Sequence, residues 1–303
     1  MKQLIKKVLS LAVNYAIAPM IPTQKTLDMS IESAEECLQN HHPDANPSVL
    51  CNHTWGEPEY DLTIIIPVYN VEKYLRKCLD SVINQNTQYR YKVVVVNDGA
   101  TDGSAAVLKE YEKNNDFFIV EQENRGLSGA RNTGFRYVNS KYIMFLDSDD
   151  YLTETAVEKL LDTAYRIDAD IVQGGYYDFD GETEAIIGCK VYSNSADVPS
   201  NGVLAGMAWG KVFKPYLFEN ICFPERYWFE DTIITGLITH LAKNIATVSD
   251  MVYFYRRNNA GITRLSVGKP KSIDTFYVHR CVLKARKELG MQTDLSKKKK
   301  DKF

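Results

Sequence analysis

Three aspartates that follow an apolar run are the residues of this sequence best suited to chemistry. The run 142–146 ends directly at Asp147, and Asp149 and Asp150 stand close behind it. Carboxylates this close repel one another and raise one another's pKa, so they require a positive partner. No lysine or arginine stands within residues 145–151. Because Asp147 and Asp149 can both turn toward one hard cation, Mg²⁺ or Mn²⁺ is a candidate for that partner.

A purely structural interpretation of the charged residues is also open. Aspartates are common in turns and at helix N-termini, so Asp150 is a candidate cap for a helix that starts near Thr153. Acids also favour the positive end of a helix dipole, which accounts for Glu230 and Asp231 without any chemistry. Taken from its helix position alone, Arg131 is a surface arginine. The place of the aspartates after an apolar strand favours the metal site.

Alternating strand and helix patterns begin at residue 61 and predict the elements that position these residues. Apolar runs predict strands at 62–68, 91–98, 117–120, 142–146 and 169–177, and the run at 62–68 is rich in β-branched residues. Apolar residues at helical spacing predict helices at 71–85, 104–114, 128–138 and 153–166. This alternation specifies an α/β fold with a mostly parallel, doubly wound sheet, in which ligands bind beyond the carboxyl ends of the strands. Residues 69–70, 97–99 and 147–150 all follow strands, so we expect them to form one site.

The sequence divides into four segments. Residues 1–60 predict an N-terminal helical extension that runs into a polar, proline-containing linker. Residues 61–180 carry the regular alternation, and residues 181–268 form a second half of looser, mixed pattern, with a helix predicted at 232–242. Residues 269–303 predict a last helix followed by a lysine-rich tail.

Composition excludes several classes of protein. The 303 residues carry a net charge of -3, which argues against a nucleic-acid binder. Neither GxGxxG nor GxxxxGK[ST] occurs, so dinucleotide and Walker-type sites are not supported. Six scattered cysteines without a CxxC pair are typical of reduced thiols in a cytoplasmic protein. The cysteines and histidines between positions 37 and 53 fit no zinc spacing.

The N-terminus combines early lysines with an apolar run, and two interpretations are open. A secretory signal is one. We favour an amphipathic or packed helix, because Lys6 and Lys7 interrupt the run and Pro19 and Pro22 end it short of a bilayer's thickness. The basic start of this helix suits peripheral contact with the anionic inner face of a membrane. Residues 1–60 are also a candidate contact between the two copies of a homodimer.

Five motifs in order make the sequence similar to the family 2 glycosyltransferases with the GT-A fold. They are PVYN (67–70), VVVNDGATDGS (94–104), ENRGLSGARNTG (123–134), FLDSDD (145–150) and FED (229–231). The resemblance spans residues 61 to about 264. It implies an inverting, metal-dependent transfer of a sugar from a UDP-type nucleotide sugar to an acceptor hydroxyl, in cell-surface polysaccharide or glycoconjugate synthesis. It also implies that residues 61–180 bind the donor, and that residues 181–268 bind a carbohydrate or lipid-linked acceptor.

The resemblance implies roles for the residues on the nucleotide side. Pro67 and Tyr69 match the strand end that packs on the base of a uridine-type nucleotide. Asp98 matches the carboxylate that binds the base or the ribose, and Arg131 resembles the arginine that contacts the base. Asp147 matches the first residue of the acidic motif, which lies toward the ribose and the metal.

The resemblance also implies roles on the side where the sugar is transferred. Asp149 matches the second acidic residue, which holds Mn²⁺ or Mg²⁺ on the diphosphate. Asp231 resembles the catalytic base that takes the proton of the acceptor hydroxyl, with Glu230 beside it near the acceptor. Lys211 and Arg256 resemble pocket residues of the second half.

Three positions depart from the family pattern, and two alternative functions are open. Asn97 and Ala100 replace an acid and a serine of the usual DDGS, and Gly261 stands where a serine often closes over the donor phosphates.

A sugar nucleotidyltransferase would need a glycine-rich, basic loop after the first strand, and the sequence has none there. A non-catalytic partner subunit of a membrane transferase is the other alternative. The retained Asp149 and Asp231 argue against it.

Overall fold

The computed structural model describes residues 48–196, 198–199, 204–258 and 270–292, together with Glu36 and Asn40. Most of the predicted extension at 1–60, the lysine-rich tail and Gly261 lie outside the described residues. Membrane contact and dimer formation through these segments therefore stay predictions. Within the described ranges, no helix combines the length and the apolar character that crossing a bilayer requires.

The described residues form one mixed sheet with helices on both of its faces. The strands are β1 (Tyr60–Val68), β2 (Tyr91–Asn97), β3 (Phe117–Glu121), β4 (Ser140–Phe145), β5 (Tyr151–Leu152), β6 (Ile171–Asp180), β7 (Ile186–Lys190), β8 (Ser195–Ala196), β9 (Lys211–Phe213) and β10 (Ile245–Arg257). The α-helices are α1 (Glu72–Ile83), α2 (Ser104–Tyr111), α3 (Gly126–Phe135), α4 (Ala156–Arg166), α5 (Thr239–Leu241) and α6 (Asp274–Glu288). A π-helix at Ile234–Ile238 leads directly into α5, and short 3₁₀ turns occupy Pro215–Phe218 and Pro270–Ile273.

The sheet has the strand order β3-β2-β1-β4-β9-β6-β10-β5, with β7 beside β6 and β8 beside β10. Strands β1 to β4 pair in parallel, and so do β6 and β10. The short β9 lies antiparallel between β4 and β6 and joins the two parallel groups. This architecture confirms the predicted α/β fold class with a central sheet and flanking helices.

Strand β1 lies in the middle of the molecule because its residues suit burial on both faces. Residues 62–68 are all buried, as expected for a parallel strand covered by helices on either side. Ile64 and Ile66 belong to the core shared with α1 and α4, whereas Ile65 belongs to the opposite core. Helix α3 approaches β1 so closely that a Cβ on Gly134 would overlap the side chain of Ile65. This close packing fixes the position of α3, which carries Arg131.

The helix predicted at 153–166 begins later than expected, at Ala156. Residues Tyr151–Leu152 instead form β5, which pairs antiparallel with β10. The backbone N–H of Thr153 continues this pairing by donating to the carbonyl oxygen of Val252 (3.2 Å). A contact with a strand about a hundred residues away therefore overrides the local helix signal.

Segments from both ends of the described chain pack against the rest of the fold. Leu50 forms a β-bridge with Ile221, and the ring of Trp55 packs edge-on against Phe135 with 5.8 Å between centroids. At the other end, α6 packs on the π-helix. The helix predicted at 232–242 is thus present, although its first turns are wider than those of an α-helix.

Candidate active site

A cavity of about 620 Å³ opens at the carboxyl ends of β1, β2 and β4. Its size lies within the range of small-molecule sites. Nine of the ten predicted site residues line it: Pro67, Tyr69, Asp98, Arg131, Asp147, Asp149, Glu230, Asp231 and Arg256. The structure therefore brings together side chains that are up to 189 positions apart in the sequence, from Pro67 to Arg256.

Asp98 is held rigidly at the end of β2. Its Oδ1 accepts hydrogen bonds from Gln122 Nε2 (2.5 Å) and from the backbone N–H of Arg125 (2.8 Å). Only 2% of the residue is exposed. Tyr69, across the cavity mouth at the end of β1, is instead about half exposed. An anchored carboxylate beside an accessible ring suits a nucleoside, whose base can stack while a polar edge is bonded.

The side chain of Asn97 holds the turn that the sequence NDGA (97–100) forms after β2. Its Nδ2 donates to Glu121 Oε2 (2.7 Å), and its Oδ1 accepts the backbone N–H of Ala100 (3.1 Å). The side chain does not line the cavity. The amide is suited to this position, since a carboxylate would face Glu121 with a second negative charge. The departure from DDGS therefore changes the contact with β3 and not the cavity wall.

Arg131 is a buried cation between two carboxylates of the cavity. Its Nη2 lies 2.7 Å from Asp147 Oδ1, and its Nη1 lies 2.7 Å from Glu230 Oε1. Burial lowers the pKa of Arg131, but attraction by Asp147 and Glu230 outweighs burial and raises it overall. The interpretation of Arg131 as a surface arginine is wrong, because α3 turns the side chain inward. A positive partner of the aspartates thus comes from α3.

Asp150 is a structural anchor and not a helix cap. Its Oδ2 accepts the hydroxyl of Tyr253 (2.8 Å), and its Oδ1 accepts the backbone N–H of Arg256 (2.7 Å). The N-cap of α4 is Thr155 instead. Burial and the neighbouring aspartates raise the pKa of Asp150 well above its usual range. The prediction of Asp150 as a helix cap is therefore wrong. Asp150 instead holds the acidic loop, residues 147–150, against β10.

Asp149 keeps its side chain at the cavity while its backbone is held from β10. Arg256 Nε donates to the carbonyl oxygen of Asp149 (2.7 Å). The guanidinium of Arg256 in turn lies over the rings of Tyr74 and Phe179, 4.2 and 4.5 Å from their centroids. Burial and the charge of Asp147 raise the pKa of Asp149 to about 6. A cation would relieve both effects, so the position favours one.

The donor atoms at this edge fit a hard divalent cation that arrives with a substrate. No group of three or more histidine, cysteine or acidic side chains able to hold a metal occurs among the described residues. Asp147 and Asp149 both line the cavity and offer carboxylate oxygens. Mg²⁺ needs no more than one or two protein carboxylates when phosphate oxygens and water supply the remaining ligands. The two aspartates therefore fit the predicted metal, whose remaining ligands phosphate oxygens and water would supply.

Glu230 and Asp231 face the acidic loop from the other side of the cavity. Burial raises the pKa of Glu230, which is held by Arg131. Burial and the charge of Glu230 raise the pKa of Asp231 to about 7. A carboxylate with a pKa near neutrality is well matched to taking up a proton. The arrangement can thus place a base opposite a metal-binding edge.

Lys211 lies behind the cavity wall rather than in it. The side chain is fully buried, and its Nζ donates to the carbonyl oxygens of Met207 (2.6 Å) and Trp209 (3.3 Å). Met207 and Trp209 themselves line the cavity. Burial lowers the pKa of Lys211 to about 7, against the attraction of Asp231. The lysine supports the wall because β9 points the side chain into the core.

Two supporting residues were not predicted from the sequence. Tyr253 bonds Asp150 and also contacts the backbone N–H of Asp147 (3.2 Å). Arg125 forms a two-point ion pair with Glu225, whose shorter distance is 2.5 Å. Arg125 stands within the ENRG stretch, so the motif offered a signal for it. Tyr253 is one of several aromatic residues of β10, and its spacing carries no such signal.

The fold and the acidic cavity define a protein of the GT-A class, and comparison with known proteins identifies the family. A family model described as "Glycosyl transferase family 2" matches residues 63–213. Glycosyltransferase GlyA of Streptococcus pneumoniae serotype 4 is 38% identical over 67% of this chain and 32% of its own length. The putative glycosyltransferase EpsH of Bacillus subtilis is 29% identical over 67% of this chain and 62% of its own. This chain belongs to glycosyltransferase family 2.

A solved structure shares the fold. S. aureus TarS 1-349 in complex with UDP-GlcNAc superposes with a TM-score of 0.64 at 20% identity, over 77% of this chain and 68% of that one. The chain spans about a third and about three fifths of the lengths of the two curated relatives. The family model ends before Glu230, Asp231 and Arg256. The structure places these three residues at the cavity.

Proposed function

We propose that this chain moves a sugar from a UDP-type nucleotide sugar to an acceptor hydroxyl, with inversion at the anomeric carbon. The observation that carries the proposal is the placement of Asp231, with its pKa near 7, across one cavity from Asp147 and Asp149. Family membership supports transfer of a sugar. The UDP-GlcNAc in the complex of the structural neighbour supports the uridine donor.

The nucleotide binds at the ends of β1 and β2. Tyr69 and Pro67 provide the surface on which the base packs, and Asp98 accepts a hydrogen bond from the base or the ribose. Asp98 is already oriented by Gln122 and Arg125, so little ordering is needed on binding. Arg131 completes this side by keeping Asp147 in place, and a contact from Arg131 to the base stays a prediction.

Asp149, with Asp147, would hold Mn²⁺ or Mg²⁺ through carboxylate oxygens that line the cavity. When bound, the cation neutralises charge that develops on the leaving diphosphate. Arg256 orients the acidic loop by bonding the carbonyl oxygen of Asp149. Because that bond uses the backbone carbonyl oxygen of Asp149, the carboxylate of Asp149 remains at the cavity.

Asp231 acts as the general base. A carboxylate oxygen of Asp231 takes the proton of the acceptor hydroxyl as that oxygen attacks the anomeric carbon. The bond between the sugar and the diphosphate breaks as the new glycosidic bond forms, so a single displacement inverts the configuration. Glu230 is fixed by Arg131 and keeps the pKa of Asp231 high. The acceptor is a carbohydrate or lipid-linked hydroxyl of a surface polysaccharide or glycoconjugate.

A screen of donor hydrolysis tests the proposal. Purified protein is incubated with UDP-, GDP- and CMP-sugars in the presence of Mn²⁺ or Mg²⁺, and released nucleotide is measured. We expect turnover of at least one UDP-sugar and none without metal. Binding of UDP without turnover of any donor, also with acceptor extracts added, would instead identify a non-catalytic partner subunit.

A further inference from the structure

The loop that precedes the proposed base has a strained backbone. The loop 223–231 lies between the 3₁₀ turn at Pro215–Phe218 and the π-helix at Ile234–Ile238, and it ends with Glu230 and Asp231. Arg226 has φ of +69° and Phe229 has φ of +64°. Side chains other than glycine rarely adopt this left-handed region, so the surroundings must hold the loop in place.

The start of the loop is held from the nucleotide side of the molecule. Asn132 on α3 donates from Nδ2 to the carbonyl oxygen of Phe223 (2.9 Å) and accepts the backbone N–H of Phe223 (2.9 Å). Glu225 pairs with Arg125, which precedes α3. These contacts stop at residue 225, before the two strained positions, and α3 contacts the loop again at Glu230, which pairs with Arg131 beyond them.

The strained part of the loop is held by the C-terminal region. Asp274, the first residue of α6, is fully buried, and its Oδ2 accepts the backbone N–H of Trp228 (2.8 Å). Lys271 lies 3.1 Å from Asp274 and donates to the carbonyl oxygen of Arg226 (3.0 Å). Trp228 directly precedes Phe229, so the bond to Asp274 acts where the backbone is strained.

Helix α6 also holds the helix that follows Asp231. Arg286 Nη1 donates to the carbonyl oxygen of Gly236 (2.6 Å) in the π-helix. A Cβ on Gly236 would lie 2.6 Å from Val282 Cγ1, so the two helices are in close contact there. Asp231 therefore lies between two residues that α6 contacts, Trp228 and Gly236.

We propose that Asp274 is a positioning residue that sets the place of Asp231, an inference that rests on the proposed function. A buried carboxylate is costly unless polar groups use it, and here it is used by a backbone N–H of the loop and by Lys271. Without that bond, the left-handed conformation of Phe229 is free to relax and Asp231 moves with it. The contacts described above for Asp98 and Asp149 involve no residue of α6, so the donor side is unaffected.

The test compares Asp274→Ala and Asp274→Asn in the full chain. Asparagine keeps an oxygen that can accept the Trp228 N–H, whereas alanine removes it. We expect Asp274→Ala to lower kcat for hydrolysis of the donor from the screen by about tenfold to a hundredfold, as for a misplaced catalytic group. Asp274→Asn restores most of the rate, and the Kd for UDP stays within about twofold in both variants. Lys284→Ala on the exposed face of α6 is the matched control.

Hydrogen exchange gives a readout that does not depend on activity. We expect amides of residues 226–234 to exchange faster in Asp274→Ala, with residues 60–68 of β1 unchanged. Lys271→Ala, at a partly exposed position, weakens the same bond and serves if Asp274→Ala does not fold. Unchanged exchange at 226–234, or an equal rise throughout the sheet with weaker UDP binding, overturns the inference. Wild-type protein that turns over no donor refutes the proposed function instead, and the exchange result still decides the role of Asp274.

Discussion

At the scale of single residues, the buried positive charge of Arg131 compensates negative charges of the acidic cavity. Its buried guanidinium pairs with Asp147 from the acidic loop and with Glu230 from the opposite loop. Removing one partner of a buried ion pair leaves the other charge uncompensated, which is strongly destabilising. The arginine also ties together the two segments that the proposed reaction needs. Asp149 and Asp231 are left with raised pKa values, which agree with the proposed roles of a cation ligand and a base.

Substitution of the proposed base tests the reaction at this scale. We expect Asp231→Asn to lower kcat by about 10²–10⁴-fold, the usual contribution of a general base. The amide keeps the shape of the side chain but cannot take up a proton at neutral pH. Initial rates measure the loss of kcat, and UDP calorimetry checks that donor binding stays nearly unchanged. The exposed Glu219→Gln is the control. Normal turnover by Asp231→Asn would assign the base to another residue.

The pH dependence of the rate follows from the raised pKa of Asp231. A base works only when it is ionised, so we expect kcat/KM to fall as pH decreases below about 7, the value to which burial and Glu230 raise this pKa. Arg131, Lys211 and Asp147 also face this group, and their charges shift the midpoint without changing its direction. A profile measured from pH 5 to 9 with the best donor checks this. A rate that increases toward acid pH would contradict a basic role for Asp231.

At the scale of elements, the packing of α3 on β1 positions both Arg131 and the start of the loop. Gly134 allows this approach, since a Cβ there would overlap Ile65. We expect Gly134→Ala to destabilise the fold by about 1–2 kcal/mol, because overpacking costs about 1–3 kcal/mol and exceeds the gain in helix propensity of up to about 1 kcal/mol. Urea denaturation measures the difference.

A glycine substitution at an uncrowded position gives a reference without overlap. A Cβ on Gly56 would meet no atom within 4 Å, so Gly56→Ala should change stability by less than about 0.5 kcal/mol. Equal stability of the two variants would show that α3 can move away from β1 at no cost.

Most elements were predictable from the sequence because their signals are local. Apolar runs predicted β1, β2 and β4, and helical spacing predicted α1 and α4 to within a few residues. The short β5 was missed, since two residues carry no period of their own and pair only with β10. The π-helix was predicted simply as helix, because its widened turns follow from contacts with α6.

At the scale of the whole molecule, the proposed donor site joins the first half of the sheet to the acidic loop that β10 supports. A ligand that bridges them stabilises the folded state by mass action, by about 2.7 kcal/mol at a hundredfold excess over Kd. We expect UDP to raise Tm only when Mn²⁺ or Mg²⁺ is present, and Asp149→Ala to abolish the shift. Thermal denaturation measures it, with the partly exposed Asp250→Ala as control. An equal shift with and without metal would refute the metal site at Asp149.

The sequence by itself determined the order of strands and helices and the edge of the sheet at which the polar motifs meet. It did so because hydrophobic period and motif order are read along the chain, and parallel strands end at one edge. Only the tertiary structure decided which charges meet there. Arg131 reaches Asp147 and Glu230, Asp150 turns to Tyr253, and Lys211 is buried behind the wall. These outcomes depend on which distant segments of the chain come into contact in the fold. A pattern along the sequence does not contain that information.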